Sequence, residues 1–180
     1  MEEIIRAMKS GQCIQLRYQG YTKTSSHDIA VAPYAVKVFK QRWYLLAKPI
    51  EQEQLRIYAL DRIQELAPLI TKFQICQGFD AQAFFRNNYG VILDERTEAE
   101  RIELRITALQ ACYLKSLPLH HSQRLLREDS EYSVFELYLS PTHDFVQTLL
   151  SYGGHLEVLA PESLRGLMKR EVSNMMNLYQ

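Results

Sequence analysis

The sequence has little cysteine: Cys13, Cys76 and Cys112 are widely separated and form no CxxC pair. Such a set excludes a disulfide framework and a cysteine zinc site, and it reads as small buried hydrophobes in a reducing compartment. Long apolar runs are also missing. Nothing approaches the ~20 residues needed to cross a bilayer, and no signal peptide precedes the first helix-like segment. These absences point to the cytoplasm and exclude a membrane partner. Enzyme signatures are absent too: there is no GxSxG elbow, P-loop, HExxH or GxGxxG. The chain is therefore expected to be no enzyme and to need no cofactor or metal. His120 and His121 are neighbours, but adjacent residues on a strand point apart, which argues against a shared ion.

Net charge is absent as well, at a formal +0 over 180 residues. That total hides an asymmetry. Between Gln12 and Lys48 stand Arg17, Lys23, Lys37, Lys40, Arg42 and Lys48 against Asp28 alone, whereas from Phe73 onward acids such as Asp94, Glu95, Glu98, Glu100 and Glu103 gather. The imbalance hints that the first half meets an anion; a solvated basic face is the bland alternative.

What is present is ordinary globular composition, 47% hydrophobic and 23% charged, enough for one domain or two small ones. EEIIRAMKS (residues 2–10) has one apolar side, acids first, Lys9 last and Gly11 as a stop, the pattern of a short amphipathic helix. Ile14, Leu16 and Tyr18 then alternate with polar residues as a half-buried strand. Residues 29–39 are extended, with Pro33 demanding an edge or a bulge. Further strands follow at 42–48, 55–60 and 63–66, the last ending near Pro68. Five short strands with tight connections predict a small antiparallel barrel closed on itself.

Around Gly78 the pattern changes. A helix capped by Asp80 and stopped at Gly90 belongs to a connector. Beyond it come a strand (102–106), a helix (108–117), a hairpin (122–127 and 132–139, through EDSE), a helix N-capped by Thr142, a strand (155–159), and a last helix opened by Pro161. The order β-α-β-β-α-β is the split, ferredoxin-like arrangement. The fold class is thus α+β, with a barrel domain at 1–72, a connector at 73–97 and a second domain at 98–180.

Three blocks, IIRAMKSGQCIQLRYQ, VAPYAVKVFKQRWYLLAK and RIYALDRIQEL, resemble in order the WYL-domain family of bacterial transcriptional regulators, named for the tripeptide Trp43-Tyr44-Leu45. HHSQ (120–123) and LLSYGGHLEVLAPESLRGLM resemble the C-terminal extension joined to that domain. The resemblance implies an Sm-like, SH3-type first domain and a ligand-sensing role, with single-stranded nucleic acid or a nucleotide as ligand. Regulators of this kind carry a helix-turn-helix domain ahead of the barrel, and there is no room for one before Ile14. The chain therefore reads as the sensor part of a longer regulator or a stand-alone member, assembling as a homodimer through its second domain and last helix (161–178).

Alternation separates Arg42, Tyr44 and Leu46 from Trp43, Leu45 and Ala47, and Arg56, Tyr58 and Leu60 from Leu55, Ile57 and Ala59. Pairing the Arg42/Tyr44 face with the Arg56/Tyr58 face would gather two guanidinium groups and two phenols, with Arg62 just beyond. Such a patch suits phosphate oxygens and stacked bases. Alternatively, both tyrosines fill a core, Arg62 and Asp61 form a turn pair, and Trp43 packs inside. The resemblance favours Arg42, Tyr44, Arg56 and Arg62 as ligand-binding residues, with Tyr18, His27, Lys37 and Tyr58 in support. The rival function is a protein–protein interaction module without a small ligand.

Overall fold

The computed structural model describes residues 1–94 and 97–180; Glu95 and Arg96, which fall in the expected connector and acidic run, lie outside the described residues. Two compact units divide the chain, Met1–Phe84 and Phe85–Gln180. The division falls within the connector expected at 73–97.

In the first unit, α1 (Glu2–Ser10) starts with Glu2 and Glu3, ends with Lys9, and is stopped by Gly11 in the left-handed region at φ 61°. Both charge placements favour the helix dipole. Five strands follow: β1 (Gln12–Tyr18), β2 (His27–Phe39), β3 (Arg42–Pro49), β4 (Arg56–Ala59) and β5 (Ile63–Lys72), with a 3-10 turn at Leu60–Arg62. They form one antiparallel sheet in the order β4-β3-β2-β1-β5. The ladder is open at β4 and β5, so the expected closed barrel is not formed. The 3-10 turn Leu60–Arg62 stands between four-residue β4 and β5, which lie at the two edges of the sheet.

Pro33 sits within a central strand and is accommodated by a register shift between Pro33 and Ala35. β5 runs past Pro68 to Lys72, further than expected, since it is an edge strand where a missing N–H costs little. Lys40 (φ 45°) and Gln41 (φ 64°) make the two-residue turn between β2 and β3 without any glycine. One sheet face supplies Ile14, Leu16, Val31, Leu45, Ala47 and Tyr58 to a core that α1 covers with Ile4 and Ala7.

The second unit contains β6 (Glu100–Thr107), α3 (Ala108–Ser116), β7 (Arg124–Glu128), β8 (Tyr132–Leu139), α4 (His143–Leu150), β9 (Leu156–Ala160) and α5 (Glu162–Asn177). Its antiparallel sheet has the order β7-β8-β6-β9. Ile102, Leu104, Ile106, Phe135 and Leu137 pack against Leu114, Phe145, Leu149 and Leu164 of the helices. Thr142 takes the N-cap position of α4, but its hydroxyl donates to the Tyr89 carbonyl at 3.3 Å and accepts no hydrogen bond from the helix N–H groups.

The preceding helix, α2 (Ala81–Phe85), is shorter than expected. Asp80 does cap it, accepting from Gln82 N–H at 2.8 Å. Beyond Phe85 the backbone is bonded elsewhere: the Asn87 carbonyl accepts from Ser140 N–H at 2.8 Å. Val91 and Ile92 N–H donate to Asp144 Oδ2 at 3.0 and 3.1 Å. Cys13 is buried as expected, whereas Cys76 and Cys112 are exposed. Among the described residues no helix is long and apolar enough to cross a membrane.

Candidate ligand-binding site

The β3–β4 register decides which side chains can meet. Tyr44 lies opposite Ala59, Leu45 opposite Tyr58, Leu46 opposite Ile57, and Ala47 opposite Arg56. Directly opposed residues share a face, so Tyr58 and Arg56 side with Leu45 and Ala47, while Arg42 and Tyr44 occupy the other face. The expected pocket of Arg42, Tyr44, Arg56 and Tyr58 is therefore not built. The reason is core packing: Leu45 and Tyr58 are both needed inside, and a slip of one residue would exchange every side chain of β4.

Arg42 is instead paired with Asp61 across 3.6 Å, so Asp61 is not the partner of Arg62. Lys37 stands opposite Tyr44, on that same face. Arg17 is held between Asp28 (3.2 Å) and Glu65 (2.8 Å), the residues that flank it on both neighbouring strands. Trp43, expected inside, is 50% exposed, because the β2–β3 hairpin carries it beyond the edge of the core.

On the core side, at the end of β1, a different constellation forms. Tyr18 continues the row of Ile14 and Leu16 and lies opposite His27, with ring centroids 6.3 Å apart. Tyr18 also meets Tyr58 edge to face at 5.2 Å. Arg62, last residue of the 3-10 turn, is brought alongside by its carbonyl, which accepts from Gln19 N–H at 3.3 Å. The Arg62 guanidinium carbon lies over the Tyr21 ring, 3.8 Å from its centre. Tyr21 belongs to the loop after β1, which closes on itself through Lys23 N–H donating to the Gly20 carbonyl at 3.0 Å.

Tyr18, Tyr21, His27 and Arg62 thus share one rim above the buried Tyr58, and Arg56 stands two residues from Tyr58 on its face. Among the described residues neither Arg56 nor Arg62 has a carboxylate within ion-pair distance. Burial works against the charge of Arg62, but the phenols of Tyr18 and Tyr21 outweigh it and hold the guanidinium above its ordinary range. Its Nε is buried without a hydrogen-bond partner, leaving one inward donor unmatched. Burial pushes the Tyr58 phenol up, with Arg56 opposing and Tyr18 adding to the rise, so Tyr58 is neutral and a donor at pH 7. Cations, phenol donors and ring faces in one place can bind an anion joined to a planar group.

Of the eight residues expected from sequence, the structure brings together Tyr18, His27, Tyr58 and Arg62, sets Arg56 beside them, and separates Arg42, Tyr44 and Lys37. Tyr21 was not foreseen. It lies in an irregular loop, and periodicity says nothing about where a loop ring points.

The WYL-domain family model matches residues 1–68, and the WCX-domain model matches residues 98–176. No curated protein matches the chain. Among solved structures it is similar to a CRISPR Cas-related protein, at a TM-score of 0.57 and 12% identity, over 98% of this chain and 50% of that one. It also aligns with proteasome accessory factor B/C (PafBC) of Arthrobacter aurescens, at a TM-score of 0.40 and 20% identity, over 92% of this chain and 25% of that one. The chain thus spans half the length, or less, of these structures, and the first likeness is one of fold. With one domain model over its first 68 residues and the second over residues 98–176, the chain belongs to the WYL-domain family, in the form that carries a WCX domain behind.

Proposed function

We propose that the chain is the regulatory, ligand-sensing part of a bacterial transcriptional regulator and binds a short single-stranded nucleic acid or a nucleotide. The observation that carries this reading is the Arg62 guanidinium against Tyr21, beside Tyr18, with Arg56 on the Tyr58 face and, among the described residues, no acid within ion-pair distance of either arginine. Arginine forks suit phosphate oxygens, and phenol rings suit bases, each stacked base being worth ~1–3 kcal/mol. In this reading the first domain is an Sm-like, SH3-type fold opened at one seam, and the second is ferredoxin-like. The module is cytoplasmic, acts without catalysis, and controls a helix-turn-helix domain, attached or separate, as a homodimer.

Fluorescence anisotropy with labelled single-stranded DNA, single-stranded RNA and mononucleotides tests the reading. Saturable binding that Arg62→Ala and Tyr21→Ala each weaken supports it. No binding, or binding indifferent to both substitutions, refutes it.

A second reading, a protein-interaction module with no small ligand, has one observation in its favour. Val172, Met175, Met176 and Tyr179 are all exposed and recur at helical spacing along and just beyond the end of α5. Light scattering of the chain and of Met175→Glu separates the two: this reading requires loss of assembly with no oligonucleotide binding at any stage.

A further inference from the structure

Trp43 is the one tryptophan of the chain, and it stands 50% exposed at the start of β3. Val38, directly across the β2–β3 hairpin from it, is exposed as well. Among the described residues no ring or cation packs on the indole, and its N–H has no acceptor. A single exposed apolar residue needs no explanation by itself. What singles out Trp43 is its place.

Trp43 lies on the face of Leu45 and Tyr58, opposite to that of Arg42 and Tyr44. The β3–β4 ladder stops at Tyr44 and Ala59, where the chain enters the 3-10 turn Leu60–Arg62, so Trp43 is the next residue of that face beside the turn. Arg42 and Asp61 meet across 3.6 Å, which sets Trp43 and Arg62 each one residue from the same ion pair. On its other flank the turn is tied to the end of β1, through Gln19 N–H donating to the Arg62 carbonyl and through Tyr21 under the Arg62 guanidinium. The turn therefore has an aromatic side chain on each flank, Tyr21 on one and Trp43 on the other. Lys40, at the hairpin tip, adds a cation with no carboxylate within ion-pair distance among the described residues.

Resting on the nucleic-acid reading above, we propose that Trp43 is a second base-stacking platform, and that the rim takes a strand of two or more nucleotides in preference to a mononucleotide. Arg56 and Arg62 hold phosphates, and a base beyond them lies on the indole. The spacing carries the preference for a strand. Ala47, opposite Arg56, is four residues from Trp43, ~13 Å along β3. One nucleotide does not reach that far, so only a longer ligand joins both ends. An indole offers a broad face to any base, which makes this contact indifferent to sequence.

The single tryptophan makes the test direct, because emission reports Trp43 alone. The full, unmodified chain is titrated with a short oligothymidylate and with thymidine monophosphate, following tryptophan emission, while anisotropy of a labelled oligomer reports binding independently. The expected result is saturable quenching by the oligomer with the midpoint seen by anisotropy, and tighter binding of the oligomer than of the monophosphate. Trp43→Ala should weaken oligomer binding about tenfold and remove most of that advantage, whereas Trp43→Phe, which still stacks, should keep most of it. Circular dichroism shows whether each variant is folded, and the quenching is read on the parent chain in any case. Oligomer binding with unchanged emission, equal affinity for the monophosphate, or full affinity in Trp43→Ala overturns the proposal and leaves the nucleic-acid reading in place. Absence of binding in both assays overturns the two together.

Discussion

Arg62 lies with its guanidinium carbon 3.8 Å from the centre of the Tyr21 ring, a contact that joins the 3-10 turn after β4 to the loop after β1. A cation over a phenol face is worth ~0.5–1 kcal/mol at an exposed site. Here it does a second thing, holding the fork beside Tyr18 before any ligand arrives. Arg62→Ala is therefore expected to weaken oligonucleotide binding by about 1.5–3 kcal/mol. Arg62→Lys should recover only part of that, because an ammonium neither stacks nor binds bidentately. Anisotropy titrations of the two variants check both statements.

Arg42 gives the matching control. It lies on the opposite face and is already paired with Asp61 at 3.6 Å. Arg42→Ala should leave the affinity within a factor of two or so, whereas Arg56→Ala should reduce it. If single strands are bound through Arg56 and Arg62, log K should fall with log salt at a slope near −1.4, and near −0.7 once either is removed. Equal losses from Arg42→Ala and Arg56→Ala would mean that the sheet faces do not divide the work.

Gly90 has φ 83° and is buried against Asp144; an added Cβ would come within 2.8 Å of the Asp144 Cβ and Cγ. Gly90→Ala combines backbone strain with this overlap and should destabilise the second unit by ~1–3 kcal/mol. Chemical denaturation measures it. An unchanged midpoint would show that the 86–92 segment shifts freely.

The turn between β2 and β3 offers the reverse case. Gln41 occupies the left-handed region at φ 64° without the glycine that such turns favour. Gln41→Gly should raise stability by about 1 kcal/mol, read as a higher thermal midpoint, and a lower midpoint would contradict it.

Glu157 links Arg165 (2.8 Å) with Arg105. The Arg165 hydrogen bond, opposed by burial and aided by the charge of Arg105, holds its carboxyl below the usual range. A depressed carboxyl contributes stability above its unfolded value, and that contribution is lost as pH falls through the folded one. The group is a third exposed, so Glu157→Gln should cost only ~0.5–1 kcal/mol at pH 7. The gap between variant and parent should shrink to nothing once pH is well below the ordinary glutamate range. A gap that persists in acid would place the effect in packing.

Much of the fold was legible in the residues. Period-2 alternation in Ile14-Leu16-Tyr18 and in Ile102-Leu104-Ile106 marked the core strands, and the order of elements from β6 to α5 followed from caps and turns. The pairing of faces was not legible. Leu45 and Leu46 are both buried, so β3 is apolar on both sides, and alternation could not say which side receives Tyr58. The open seam between β4 and β5 escaped for a related reason, since strand count does not fix closure. His120-His121 lies in a turn where a strand was expected.

The central claim is that ligand meets the Tyr18/Tyr21/Arg62 rim and not the Arg42/Tyr44 face. Amide chemical-shift mapping of the ¹⁵N-labelled chain during titration with a short single-stranded oligonucleotide tests it most directly. The account predicts concentration-dependent shifts at Tyr18, Tyr21, His27, Tyr58 and Arg62, with Lys37, Arg42 and Tyr44 unmoved. Shifts centred on Lys37, Arg42 and Tyr44, or none in residues 1–84, would contradict it.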